Sequence, residues 1–211
     1  MAERIGEIGT STHGLKAKII EYGNADNIVV QFENGVKRKT TYLKFKRGYI
    51  KCPMIYKPIG DYIECENPNI GLKFLIDKEE LNKIEKYNFW SISKGSVVNN
   101  RNNNRIALHR LIKNCPKDKV VDHINGNTLD NRKCNLRICT QAENSKNKRI
   151  NKNNTSGYKG VFYYKRYNKW TSIIMVNGKK KGLGYFDTPE EAYAAYCKAA
   201  KELHGEFANT G

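Results

Sequence analysis

With 211 residues, 39% of them hydrophobic, the chain can bury a core and form one or two ordinary domains or several small ones. A net charge of +17 points to a polyanionic partner, with plain solubility from a lysine-rich surface as the alternative. Neither a charged-then-apolar leader nor an apolar run of about eighteen residues is seen, so the expectation is a soluble, cytoplasmic protein with no membrane partner.

Residues 15–51 alternate apolar and polar side chains, with turn signals at GNAD and ENG. This is the pattern of short antiparallel strands closing into a small barrel, which Cys52-Pro53 ends, so a β-barrel-like module is placed at 1–56. Its basic edge of Lys37, Arg38, Lys39, Lys44, Lys46 and Arg47 suits a DNA backbone. A protein-binding or purely structural role suits it equally.

The next block opens with a strand at Asp61–Glu64. A helix follows, capped by Asp77 and running to about Tyr87, with Leu81, Ile84 and Tyr87 or Asn88 on its core face. Trp90, Ile92, Val97 and Val98 read as a hairpin, and Asn99–Asn104 as a polar turn. His109 sits among Leu108, Leu111 and Ile112 and is expected to be structural.

The six cysteines, at 52, 65, 115, 134, 139 and 197, include no CxxC pair and are expected as free thiols. A zinc site on Cys134 and Cys139 is the alternative, and it is short of a fourth ligand.

Val121–Asn144 carries the densest chemistry. VVDH is a short strand ending in a carboxylate and an imidazole, INGNTLDNRKC is rich in turn formers, and NLRI is a second strand. In TQAE, Thr140 stands three residues before Glu143, the spacing of a capping box, so a helix begins near Gln141. Asn144 then lies in the first turns of that helix, where its side-chain oxygen can face Asp122. A carboxylate and an amide oxygen are hard ligands suited to Mg2+ or Mn2+. His123, on the opposite face of the strand from Asp122, could deprotonate an attacking water. The competing reading is an Asx-rich turn beside a satisfied strand histidine and a helix-surface amide.

The run DHINGNTLDNRKCNLRICTQAEN resembles the HNH endonucleases of the phage and intron homing type, in the variant whose third member is Asn. Asn135 follows His123 by 12 residues and Asn144 follows Asn135 by 9. The resemblance implies a ββα-metal nuclease domain, here 57–150 with its scaffold. It further implies His123 as general base, Asp122 and Asn144 as metal ligands, and Asn135 as the residue that orients the histidine. The block before the motif, with its LHRLI, resembles the lead-in of phage members. The charge excess peaks here, with 11 basic against 4 acidic residues over 106–155.

Residues 145–157 are polar and basic without apolar period, which places a linker at 151–156. Lys146, Lys148, Arg149 and Lys152 are positioned to touch phosphate, a solvated tether being the alternative. From 157 to 211, GYKGVFYY, KWTSIIMV and KKKGLGYF read as three strands, the last two joined at Asn177-Gly178. Thr188-Pro189-Glu190-Glu191 starts a helix whose stripe is Ala192, Ala195, Tyr196, Ala199 and Leu203.

This stretch is similar to the Apetala-two (ethylene-response-factor) DNA-binding domain at Gly160-Val161, Trp170, Leu183–Phe186 and the AAYCKAAKELHGEFAN helix and tail. The resemblance implies a sheet that enters the major groove. Where that family has arginine and polar readers, this chain has Phe162, Tyr164, Ile173 and Met175, while Lys159, Lys165, Arg166 and Lys179, Lys180 and Lys181 stay basic. Trp170 is expected in the core rather than on a base.

The sequence therefore reads as a multi-module α+β chain. Its expected function is a metal-dependent endonuclease of phage or mobile-element origin that nicks double-stranded DNA as a monomer in the host cytosol. It is expected to need no small-molecule cofactor. A non-catalytic, sequence-specific DNA-binding regulator and an RNA-acting nuclease are the alternatives.

Overall fold

A computed structural model describes residues 4–101, 104–148, 150–151 and 153–211. The chain divides into two compact units, one of residues up to 108 with 128–132, the other of 109–127 with 133–211. Both are mixtures of small antiparallel sheets and short helices.

In the first unit, β1 (Ile8–Thr10), β2 (Lys16–Asn24), β3 (Asn27–Phe32) and β4 (Lys37–Thr40) form a meander in chain order. Alternation puts Ala17, Ile19, Ile28, Val30 and Phe32 into one core. The expected barrel does not close: β1 and β4 remain the two edges of an open sheet. The run expected as its last strand instead holds α1 (Tyr42–Lys46), because the Thr41 hydroxyl accepts from the Lys44 amide and caps a helical turn. That turn drives Phe45 into the sheet's apolar face, so a helix and Ile50 cover what strand closure would have covered.

β5 (Ile55–Ile59), β6 (Tyr62–Asn67) and β7 (Leu72–Asp77) form a second meander. The strand expected at 61–64 is thus one of three, and the helix expected from Asp77 to Tyr87 is much shorter. Asp77 ends β7 and makes no side-chain cap, and after a 3₁₀ turn α2 spans only Leu81–Ile84. Trp90 closes this core, its indole Nε1 donating to the Ile84 carbonyl at 3.4 Å.

The hairpin expected around Ile92 and Val97 is present as β8 (Ser91–Ser93) and β9 (Ser96–Arg101), and β10 (Asn104–Ala107) adds a third strand. The asparagine-rich run is therefore largely strand, Asn104 pairing with Arg101, while Asn102 and Asn103 lie outside the described residues. Residues 128–132 also belong to this unit. Leu75 donates its amide to the Leu129 carbonyl at 2.8 Å and accepts from Asn131 at 2.9 Å, so this segment runs along β7.

The helix α3 (Leu108–Lys113) leads into the second unit. There β11 (Val120–His123) and β12 (Leu136–Cys139) form a hairpin, and α4 (Gln141–Lys146) follows. The C-terminal part is the expected sheet and helix: β13 (Val161–Tyr164), β14 (Lys169–Val176), β15 (Lys179–Phe186) and α5 (Pro189–His204). Asn177 and Gly178 both take positive φ, as a tight two-residue hairpin turn requires. Ala192, Tyr196, Ala199 and Ala200 bury the helix face against Ile174. Trp170 is half-buried rather than enclosed, its ring edge-on to Tyr163 at 5.2 Å.

Tyr196 fits only because Gly160 has no side chain. A Cβ there would lie 2.4 Å from the tyrosine ring and 2.8 Å from the Ile173 carbonyl, at a φ of +73°. At Gly178, with φ of +77°, a Cβ would meet nothing. Gly178→Ala should therefore cost only backbone strain, about 1 kcal/mol. Gly160→Ala should cost clearly more, since overpacking adds a further ~1–3 kcal/mol. Denaturant unfolding of the two variants checks the difference.

Candidate active site

The hairpin register sets the centre. Asp122 pairs with Arg137 across the strands and His123 with Leu136, and both candidate side chains are buried, at 6% and 7% exposure. A buried carboxylate must be answered by donors. Arg137 supplies two, its Nε at 2.9 Å and Nη2 at 2.7 Å from Asp122 Oδ2. Asn147, at the end of α4, adds its amide nitrogen at 3.0 Å from Oδ1 and 2.9 Å from Oδ2. The same nitrogen donates to the His123 carbonyl at 3.1 Å.

Asn135 acts on the turn after the histidine. Its side-chain oxygen accepts from the Asn125 amide at 2.9 Å and its carbonyl accepts from Ile124 at 2.9 Å. His123 thereby leaves the strand into a fixed turn, closed by the Gly126 amide on the His123 carbonyl at 2.8 Å. His109 is placed with it: the two imidazoles meet edge to face at 5.3 Å. The residue expected to be merely structural thus packs on the proposed base.

Asn144 lies one turn before Asn147, half-buried, and no hydrogen bond joins it to Asp122 among the described residues. Arg137 and Asn147 are the side chains the sequence reading missed. The first was available from the hairpin register. The second shares a helix face with Asn144 by its i, i+3 spacing.

The donor set accommodates a divalent cation of the hard class. Among the described residues Asp122 Oδ2 receives three donors and Oδ1 one, so Oδ1 keeps lone-pair capacity. Among the described residues no group of three or more His, Cys, Asp or Glu could hold a metal ion. A cation here would rest on one carboxylate and neutral oxygens. All six cysteines are free thiols, with Cys134 exposed and Cys139 buried.

The residues expected on DNA divide. Lys148, Lys165, Arg166, Lys179, Lys180 and Lys181 are exposed, Phe162 is 38% exposed, and Lys146 is half-buried. Tyr164 packs against Tyr167 and Tyr185 with tilted rings, centroids at 5.3 and 5.6 Å. Lys159 turns inward, its ammonium donating to the carbonyls of Lys146, Lys148 and Asn209, and burial pushes its pKa down. Arg149 and Lys152 lie outside the described residues. A cleft of about 1080 Å³ runs between α4, the segment after it and the outer sheet face, lined by Lys146, Lys148, Phe162, Ile173, Met175 and Lys180 among others.

Comparison with known proteins finds two families in the sequence. Residues 113–146 match the HNH endonuclease family and residues 156–206 the AP2 domain. Protein 3.8 of Escherichia phage T7 is 38% identical over 93 residues, 44% of this chain and 76% of that protein. An uncharacterized HNH endonuclease of Acanthamoeba polyphaga mimivirus is 34% identical over 131 residues, 59% of this chain and 67% of that one. An AP2-like ethylene-responsive transcription factor of Arabidopsis thaliana is 40% identical over 60 residues, 28% of this chain and 12% of the factor. No solved structure matches the chain. The chain belongs to the HNH endonuclease family and carries an AP2 domain beside its nuclease motif.

The helix α4 is held at its start by the expected capping box. The Thr140 hydroxyl accepts from the Glu143 amide at 3.2 Å, and the Glu143 carboxylate accepts from the Thr140 amide at 2.7 Å. Thr140→Ala should cost about 1 kcal/mol. The Thr140 backbone and hydroxyl donors hold the Glu143 carboxyl below its usual 4.5. Its share of the cap is therefore present above pH 4.5 and lost as pH falls through the lowered value. Unfolding at neutral pH and near pH 3 should show the wild-type advantage over Thr140→Ala shrinking in acid.

Proposed function

We propose that this chain is a metal-dependent DNA endonuclease of homing type that nicks one strand of a duplex. The observation that carries the reading is the buried Asp122–His123 pair at the end of β11, fixed by the Asn135 turn, in a chain that also bears a basic AP2 module. In this reading residues 57–150 are the HNH ββα-metal domain with its scaffold, and 157–211 grip the duplex after the 151–156 linker.

His123 takes the proton of the attacking water through an imidazole oriented by its turn and by His109. Asp122 Oδ1 and the Asn144 amide oxygen would hold Mg2+ or Mn2+, which supplies Lewis-acid stabilisation of the charge on the phosphate and the leaving 3′ oxygen. One such centre per monomer cuts one strand. Lys148, Lys165, Arg166 and Lys179–Lys181 offer exposed positive charge to phosphates, Lys146 reaches them from the end of α4, and Phe162 and Tyr164 offer ring faces. No helix among the described residues is long and apolar enough to cross a membrane.

One observation favours a second reading. Asp122 is already neutralised by Arg137, as a purely structural carboxylate would be, which suits a DNA-binding regulator without cleavage. Supercoiled plasmid and folded RNA incubated with the protein and Mg2+ separate a DNA nickase, an RNA nuclease and a regulator. His123→Ala should lower nicking by ~100- to ~10,000-fold while duplex affinity holds. Chelation should abolish cleavage, and Asp122→Ala should reproduce the chelated state; cleavage that survives both would refute the site. Replacing Lys179, Lys180 and Lys181 with alanine should reduce the slope of log affinity against log salt by about 0.9 for each phosphate that is no longer neutralised.

A further inference from the structure

The two side chains that hold Asp122 are themselves held by the last residues of the chain. Arg137 Nη1 donates to the Glu206 carbonyl at 2.5 Å, and its guanidinium lies over the Phe207 ring, 4.0 Å from the centroid. The Asn209 amide nitrogen donates to the Asn147 carbonyl at 2.9 Å and to Asn147 Oδ1 at 3.1 Å. An amide that offers its oxygen to one donor must turn its nitrogen the other way. Asn209 therefore fixes the orientation in which Asn147 donates to both oxygens of Asp122. Asn209 is anchored in turn, its carbonyl accepting from Lys159 at 2.7 Å and its side-chain oxygen from Gly211 at 2.9 Å. Phe207, Asn209 and Asn147 all lie outside the two stretches that match known families.

We propose that Glu206–Asn209 is a positioning element of the nuclease centre. It holds Arg137 on Oδ2 and sets the Asn147 amide, so that Asp122 presents Oδ1 to a divalent cation in one orientation. This rests on the nuclease reading above. The C-terminal module then does more than grip DNA: its tail completes the support around the metal-binding carboxylate. Outer partners of ligating groups are worth about 10- to 100-fold in metal affinity.

The test is Mn2+ binding to full-length protein on a short duplex, read by the electron paramagnetic resonance signal of free Mn2+ and carried out in the His123→Ala background. Plasmid nicking is measured in parallel with His123 intact. Phe207→Ala and Asn209→Ala should each weaken Mn2+ binding about 10-fold and reduce nicking at low metal, with duplex affinity unchanged. Phe207→Tyr, which keeps a ring face for Arg137, should bind Mn2+ like the parent. Asn209→Ala should have no further effect once Asn147→Ala has removed the amide it orients. Should Phe207→Ala fail to fold, the Asn209 and Asn147 variants decide. Unchanged Mn2+ affinity in folded Asn209→Ala, or equal losses in Phe207→Tyr and Phe207→Ala, overturns the inference alone. A parent protein that neither binds Mn2+ nor nicks overturns the nuclease reading with it.

Discussion

A carboxylate with 6% of its surface exposed organises the second unit. Burying Asp122 unpaired would cost several kcal/mol, so the donors around it cannot be left to chance. They come from two parts of the sequence, Arg137 on the facing strand and Asn147 at the end of α4, and residues 206–209 of the C-terminal tail hold both in turn. Slipping the β11–β12 register by one residue would turn Arg137 to the opposite face and strand the charge. The ion pair thus makes the register, the place of α4 and the docking of the tail mutually dependent.

What was legible in the sequence is what is local. Asn177-Gly178, Thr188 with Glu191, and Thr140 with Glu143 each specify their turn or cap within four residues, and all are realised. The spacing of Asp122, His123 and Asn135 was equally visible. Arg137 and Asn147 could be reached only through the hairpin register and the face of α4, since their partners lie 15 and 25 residues away, and Asn209, 62 residues from Asn147, carries no local signal. Two expectations failed on caps. Around Thr41 an alternating pattern concealed a cap, and Asp77, expected to cap a helix, instead ends strand β7 without a side-chain cap, so the helix after it is short.

The outer face of the C-terminal sheet is an unusual surface for a groove reader. Tyr164, Tyr167 and Tyr185 contact one another, and Phe162, Ile173 and Met175 line a cleft with lysines at its rim. Rings and aliphatic chains of this kind offer contact area rather than directional hydrogen bonds.

Residues 128–132 have a consequence for how such proteins can be assembled. They fall inside the stretch that matches the HNH family, yet their backbone partners are on β7, some fifty residues earlier. Neither compact unit is one continuous length of chain. A recombination event that moved 113–146 alone would transplant a segment without the strand edge it bridges. The three-stranded sheet of Ile55–Asp77 supplies that edge, so the structural unit around the motif is larger than its signature.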